Sequence, residues 1–358
     1  GIPMTVKESL NMAGLPTTWG IPAQKDFIAA EDALSVARTK DAGAVILGKT
    51  NVPISLADWQ SYNDIYGTTN NPYNLGRTPG GSSGGSSAAL AAGYGPLSLG
   101  SDIGGSLRVP AFHCGIYAHK PTFDLVPSRG NTPPPLPALP YGRDLSVVGP
   151  MARSAADLSL LLDVMAGPDP LEAGKAYRLD LPQPRHNELR NFRLLVIDTD
   201  PLMPTDAAVR GAINELAAKL EKAGAKIERS SPLLPDFAAS SRLYMRILMS
   251  FLGASFAPEI YAGAQAAAAA LPPSNTSLAA ERLRGIVLVD SSVVRPPGEA
   301  SQRRTIGALP TIVHPDLPTA IERFRLIPPQ HCPNQLFKPA LTPCRHWCPI
   351  LGAHTTRW

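Results

Sequence analysis

Three observations predict an α/β fold. Residues 27–42, FIAAEDALSVARTKDA, set apolar Ala33, Leu34, Val36 and Ala37 between charged residues, the pattern of an amphipathic helix, and AVIL at 44–47 reads as a fully buried strand behind it. The succession returns at AALAA, which suits a tightly packed helix, and PLSLG, which suits a brief buried strand. It persists past residue 200, where 191–198 read as a strand, 206–223 as a helix and 225–228 as the next strand. Alternating elements of this kind stack helices on a sheet.

Composition bounds the function. With 358 residues, 44% hydrophobic and 17% charged, the chain can bury the core of one large domain or two ordinary ones. A net charge of +4, with no aromatic residues interleaved among basic clusters, argues against nucleic acid. No apolar run approaches the roughly 18–20 residues that span a bilayer, so no membrane span is expected. Four cysteines make no disulfide framework, and a reducing cytoplasm is the expected compartment. No signal peptide is expected. Gly1 opens inside apparent structure and is not expected to be the native start.

From the beginning, residues 1–9 (GIPMTVKES) alternate Ile2, Met4 and Val6 and end in Lys7 and Glu8, a strand with a lysine at its inner end. Such a lysine is either a functional amine or a strand-end charge reaching solvent, and local sequence leaves both open. GAVILGKT at 43–50 matches the phosphate-loop pattern letter for letter. Its middle residues, however, form a strand sequence instead of a curled loop, and Pro53 disfavours helical geometry at Val52, where a helix should run. Nucleotide binding is rejected on that ground. Residues 61–74 are turn-rich and lead into the stretch 79–110, PGGSSGGSSAALAAGYGPLSLGSDIGGSLRVP.

Two glycine–serine loops, 80–87 and 100–106, lie in that stretch where helix and strand ends meet. Glycine lets backbone approach a reacting atom without a Cβ in the way, and serines between such glycines are candidates for nucleophile or proton carrier. A flexible linker would not be followed by apolar helices and strands. After Ser106, LRVPAFHC starts a short helix whose N-terminus faces the second loop, an arrangement that favours negative charge there. Residues 131–140 (NTPPPLPALP) read as a proline-rich surface excursion, 154–166 as an amphipathic helix, and 240–256 and 258–270 as helices.

Residues 286–358 form an irregular tail rich in proline and arginine. It holds His331, Cys332, Cys344, His346 and Cys348, but CRHWC lacks the paired spacing of a zinc site, so no metal is expected.

The two loops together with GIPMTVKES resemble the amidase signature family. Its marks are a glycine–serine block, a G-[ST]-D-x-G-G-S-[IL]-R-x-P block and an upstream lysine in G-[IV]-P-x-x-V-K, standing here at 80–87, 100–110 and 1–7. GKTNVP, YGTTNNP and HKPT are further landmarks. The resemblance covers residues 1–285, which are expected to be a domain incomplete at both ends, and implies α/β/α layers around a mixed, mostly parallel central sheet. It implies Ser106 as nucleophile, Ser82 as bridging serine and Lys7 as base, with a cis peptide at Gly81–Ser82. It further implies an oxyanion hole from the backbone N–H groups of Ile103, Gly104, Gly105 and Ser106, with Ser83, Asp102 and Arg108 as supports.

The expected activity is hydrolysis of a small-molecule amide through an acyl-enzyme, without cofactor. The expected partners are that amide and, at most, a second copy of the chain in a homodimer. Alternatives are an amidotransferase A-type subunit that hydrolyses glutamine for a partner, and a non-catalytic remnant. A Ser/His/Asp triad from Ser106, Asp102 and His113 or His119 competes, but residues so close along a chain rarely reach triad geometry, and G-x-S-x-G is absent.

Overall fold

The first strand of the chain is the middle of the site-bearing half of the sheet. A computed structural model of the protein describes residues 1–138, 145–171, 179–253 and 258–287. In order, β1 (Pro3–Lys7) is followed by α1 (Leu34–Asp41), β2 (Val45–Thr50), a short hairpin of β3 (Tyr62–Asn63) and β4 (Gly67–Thr68), and α2 (Gly84–Ala91). Next come β5 (Leu97–Asp102), α3 (Arg108–Cys114), β6 (Tyr117–Ala118), β7 (Val147–Ala152) and α4 (Ala155–Met165). The remainder is β8 (Arg193–Leu195), α5 (Ala207–Lys222), β9 (Lys226–Glu228), α6 (Phe237–Gly253), α7 (Pro258–Ala269) and α8 (Leu278–Val287).

The central sheet has the order β2-β1-β5-β7-β6. β1 pairs parallel with both β2 and β5, β7 runs antiparallel to β5, and β6 antiparallel to β7. Four of the five strands therefore share one direction, which is the mixed, mostly parallel sheet expected from the sequence. Met4 and Val6 of β1, Leu97 and Leu99 of β5 and Val148 of β7 pack with Val36 of α1 and Leu161 and Met165 of α4. On the other face, Met151 of β7 meets Leu90 of α2 and Leu107 just before α3. Because side chains alternate across a strand, Thr5 and Lys7 turn away from the Met4–Val6 face, toward α2.

Local chemistry explains the element ends. Ser154 accepts a hydrogen bond from the Asp157 N–H and starts α4, and Asp206 accepts from Ala208 and Val209 and starts α5. α3 stops where Gly115 takes the left-handed conformation. α6, α7 and α8 share their own apolar cluster of Met249, Ala264 and Ile286.

Three expectations are corrected. The helix read over 27–42 forms only from Leu34, because the preceding residues lie beside 14–17: Thr17 donates to the Phe27 carbonyl, and Ala29 exchanges backbone bonds with Leu15 and Gly14. The strand read as fully buried at 44–47 is the edge strand β2, with Val45 51% and Leu47 56% exposed. The surface excursion at 131–140 begins buried, at Asn131 and Thr132. Residues 139 and 140 lie outside the described residues. So does all of the tail beyond Val287, with His331, Cys332, Cys344, His346 and Cys348; residues 286–287 close α8.

α2 can approach the end of β2 because Gly85 has no side chain. A Cβ there would collide with the Asn51 backbone N and lie 2.6 Å from its carbonyl oxygen. Gly85→Ala is therefore expected to cost about 1–3 kcal/mol, typical of overpacking. A thermal melt of the variant should show a fall of several degrees.

Candidate active site

β1 delivers Lys7 to the interior. The residue is 0% exposed, which eliminates the reading of a strand-end charge reaching solvent. Its neighbours across the sheet are Thr50 of β2 on one side and β5 on the other, so the amine sits inside the sheet and not in an edge loop. Nζ lies 2.7 Å from Ser82 Oγ, 3.0 Å from Ser101 Oγ and 3.4 Å from the Ser101 carbonyl oxygen. Burial pushes this amine from 10.5 down to about 7, against the opposing pull of the Asp102 and Glu8 carboxylates. A large neutral fraction is then present near pH 7.

Ser82 precedes α2 and follows a cis Gly81–Ser82 peptide, as the family resemblance implies. A Cβ on Gly81 would lie 2.6 Å from the Asp58 carbonyl oxygen, so only glycine fits before this serine. Ser83 stitches the two glycine–serine loops together. Its N–H donates to the Ser106 carbonyl at 3.1 Å, and its hydroxyl donates to the Ser101 carbonyl at 3.2 Å. Ser82 and Ser106 are thereby held on adjacent backbone, both nearly inaccessible. Ser106 Oγ has no hydrogen-bond partner among the described residues.

Asp102, at the end of β5, shapes the second loop. Oδ1 accepts from Gly105 N at 2.9 Å and Arg108 Nη2 at 3.0 Å, while Oδ2 accepts from Leu107 N at 2.9 Å and Arg108 Nε at 3.1 Å. Burial works against the charged carboxylate. The Arg108 guanidinium and the two backbone amides outweigh it and hold the carboxyl below its usual range. Gly105 has φ +112°, a conformation that favours glycine. Its N–H is committed to Asp102, whereas those of Ile103, Gly104 and Ser106 have no partner among the described residues.

Two aromatic side chains reach the same loop from elsewhere. Trp59 Nε1 donates to the Gly104 carbonyl at 3.1 Å, and Tyr244 Oη, from α6, donates to the Ile103 carbonyl at 2.8 Å. Sequence reasoning did not find them. Trp59 stands in a turn-rich segment and Tyr244 in an ordinary helix, and neither position carries a local signal. Ser101 and Glu8 were legible in principle, as a polar residue ending a buried strand and an acid beside a buried lysine. Glu8 accepts from Thr18 Oγ1 at 2.8 Å and Trp19 N at 2.9 Å.

The competing histidines are placed differently. Among the described residues no hydrogen bond joins His113 or His119 to Ser106 or Asp102, and the Asp102 oxygens are already occupied. Lys49, from the phosphate-loop look-alike, lies on β2 and donates to Thr17 Oγ1 at 2.7 Å. Among the described residues no cluster of His, Cys, Asp and Glu could hold a metal ion, and no helix is long and apolar enough to cross a membrane.

A buried lysine, two clamped glycine–serine loops and backbone N–H groups without partners among the described residues thus meet at one end of a mixed sheet. The chain belongs to the amidase family, whose model matches residues 1–284. Over 246 residues it is 41% identical to the A-type subunit of the glutamyl-tRNA(Gln) amidotransferase of Thermus thermophilus, covering 67% of this chain and 50% of that protein. Over 169 residues it is 46% identical to human fatty-acid amide hydrolase 2, covering 47% of this chain and 31% of that protein. The crystal structure of the corresponding glutamyl-tRNA(Gln) amidotransferase protein from Thermotoga maritima superposes with a TM-score of 0.62 at 27% identity, over 74% of this chain and 58% of that one. The chain spans about half the length of the curated amidotransferase relatives it matches.

The Lys7 environment has a consequence for stability. With a pKa of about 7 when folded and 10.5 when free, the unfolded chain binds more protons than the folded one between those values. Stability therefore rises with pH across that window. Denaturant melts should show this rise in the unaltered protein and its loss in Lys7→Met.

Proposed function

We propose that this chain hydrolyses amides, with Ser106 as nucleophile, Ser82 as proton relay and Lys7 as base. The observation that carries the reading is the 2.7 Å contact between Ser82 Oγ and a fully buried Lys7 amine whose pKa is lowered to about 7. A serine hydroxyl is a weak nucleophile and must lose its proton as it attacks. A lysine serves as the acceptor only when it is neutral, and burial supplies that state.

Ser106 Oγ attacks the carbonyl carbon and its proton passes to Ser82 Oγ, which hands its own to Lys7 Nζ. The negative charge developing on the substrate oxygen is met by unpaired N–H groups of the 103–106 loop, each worth a few kcal/mol in the transition state. Of the four donors implied by the family resemblance, Ile103, Gly104 and Ser106 are free for this, and Gly105 holds Asp102. Collapse breaks the C–N bond, and the leaving nitrogen receives the proton back through Ser82. Water then attacks the Ser106 ester, surrendering a proton along the same relay to Lys7; as the C–O bond breaks, that proton returns through Ser82 to Ser106 Oγ and the acid departs. Ser83, Asp102 and Arg108 hold the loops in register and do not react.

A second reading is glutamine hydrolysis as the A-type component of an amidotransferase, favoured by the 41% identity to the Thermus protein. Ammonia release from glutamine that depends on added partner subunits and ATP would select it. Release of amine from simple aryl amides by the chain alone selects the stand-alone hydrolase.

Intact-mass labelling with a fluorophosphonate is expected to give one adduct, absent in Ser106→Ala. An adduct that persists in Ser106→Ala rejects the assignment. The rate of labelling should rise with pH through a midpoint near 7, as Lys7 loses its proton. In Lys7→Ala the rate should fall at least 100-fold, the lower part of the range typical for general acid–base catalysis.

A further inference from the structure

We infer that Tyr244 is a positioning residue for the oxyanion hole, fixing the peptide between Ile103 and Gly104 so that the Gly104 N–H faces the reacting carbonyl. This rests on the reading of Ser106 as nucleophile. In a trans peptide the C=O and N–H point in opposite directions, so whatever holds the oxygen also aims the hydrogen. Tyr244 Oη donates to the Ile103 oxygen at 2.8 Å, and the amide of that peptide, Gly104 N–H, has no partner among the described residues. The next peptide is held at both ends, by Trp59 Nε1 on the Gly104 oxygen and by Asp102 on the Gly105 N–H. Of these two consecutive peptides, the one gripped by Tyr244 alone keeps a donor to offer.

The surroundings agree. A Cβ at Gly104 would come within 3.5 Å of Tyr244 Oη and 3.9 Å of Leu248 Cδ2, so α6 lies directly against this peptide. Burial, with the Asp102 carboxylate adding to it, raises the Tyr244 phenol above its ordinary value and keeps it a donor. A hydrogen bond accepted by the carbonyl also polarises the amide, strengthening the N–H as a donor. Tyr244 is 141 residues removed in sequence from Ile103, and its helix α6 shares an apolar cluster with α7 and α8. The docking of that helical unit is thus coupled to the geometry of the hole.

The test is the kinetics of fluorophosphonate labelling, in which the attack of Ser106 on phosphorus builds negative charge on the phosphoryl oxygen. Tyr244→Phe deletes only the hydroxyl. Its maximal labelling rate is expected to fall about ten-fold, less than the loss of a whole donor, with the half-saturating reagent concentration, the pH midpoint and the thermal midpoint unchanged. Leu248→Ala removes a side-chain contact with the loop while α6 stays docked through its cluster with α7 and α8 and the hydrogen bond is untouched, and it should keep the rate. An unchanged maximal rate in folded Tyr244→Phe overturns the inference. So does an equal fall in Leu248→Ala, which would make packing the cause. Labelling that survives Ser106→Ala overturns the underlying reading, and the inference with it.

Discussion

An ammonium group in a protein interior is intolerable without compensation, and this protein places one at the end of β1 with no exposed surface. The interior answers by letting the amine go neutral: burial lowers its pKa to about 7 while Ser82 and Ser101 supply polar neighbours. Everything near it is arranged around that accommodation. β1 must lie between two parallel strands to bring Lys7 in, and α2 must begin at Ser83–Gly84 to put a hydroxyl within reach. Asp102 and Glu8 are near enough to pull the amine back toward its charged form, but each is satisfied elsewhere, by Arg108 and by Thr18 and Trp19 respectively.

The second loop solves a complementary problem. It must hold several amide groups without spending them. Asp102 takes the N–H groups of Gly105 and Leu107 and pins them, and Arg108 neutralises the carboxylate it leaves in the interior. Gly100 completes the support: a Cβ there would lie 2.6 Å from Leu107 Cδ2 and 2.8 Å from Met151 Sδ. The backbone of β5 at Gly100 therefore packs directly against Leu107 and Met151.

The strand that ends in Lys7 and the two glycine–serine loops stand out in the sequence as blocks, and the structure brings Lys7 beside Ser82, Ser83 beside Ser106, and Asp102 beside Arg108. The cis peptide at Gly81–Ser82 was implied by the family resemblance alone, and the structure has it. What failed was set by distant contacts. Phe27 to Ala33 carry a helical pattern, yet backbone bonds to residues 14–17 and Asn11 hold them in another conformation. AVIL looks like a central strand because it is apolar, but which strand lies at an edge is decided by pairing and not by composition. Trp59 and Tyr244 act by touching backbone carbonyls, a role that any donor at the right place could fill, so their identities announce nothing.

The contact between Tyr244 and Ile103 also orders events in time. A ribosome adding about 5–20 residues per second makes the hydroxyl that grips Ile103 some 7–30 s after Ile103 itself, given the 141 residues between them. β1, β5 and both serine loops can assemble from the first third of the chain, while the 103–104 peptide still lacks its outer anchor. A nascent chain would then carry the Lys7–Ser82 contact and the loop pinned by Asp102 before the Ile103–Gly104 peptide gains its Tyr244 anchor. In this arrangement the loop is completed late, by the helical unit that packs against it.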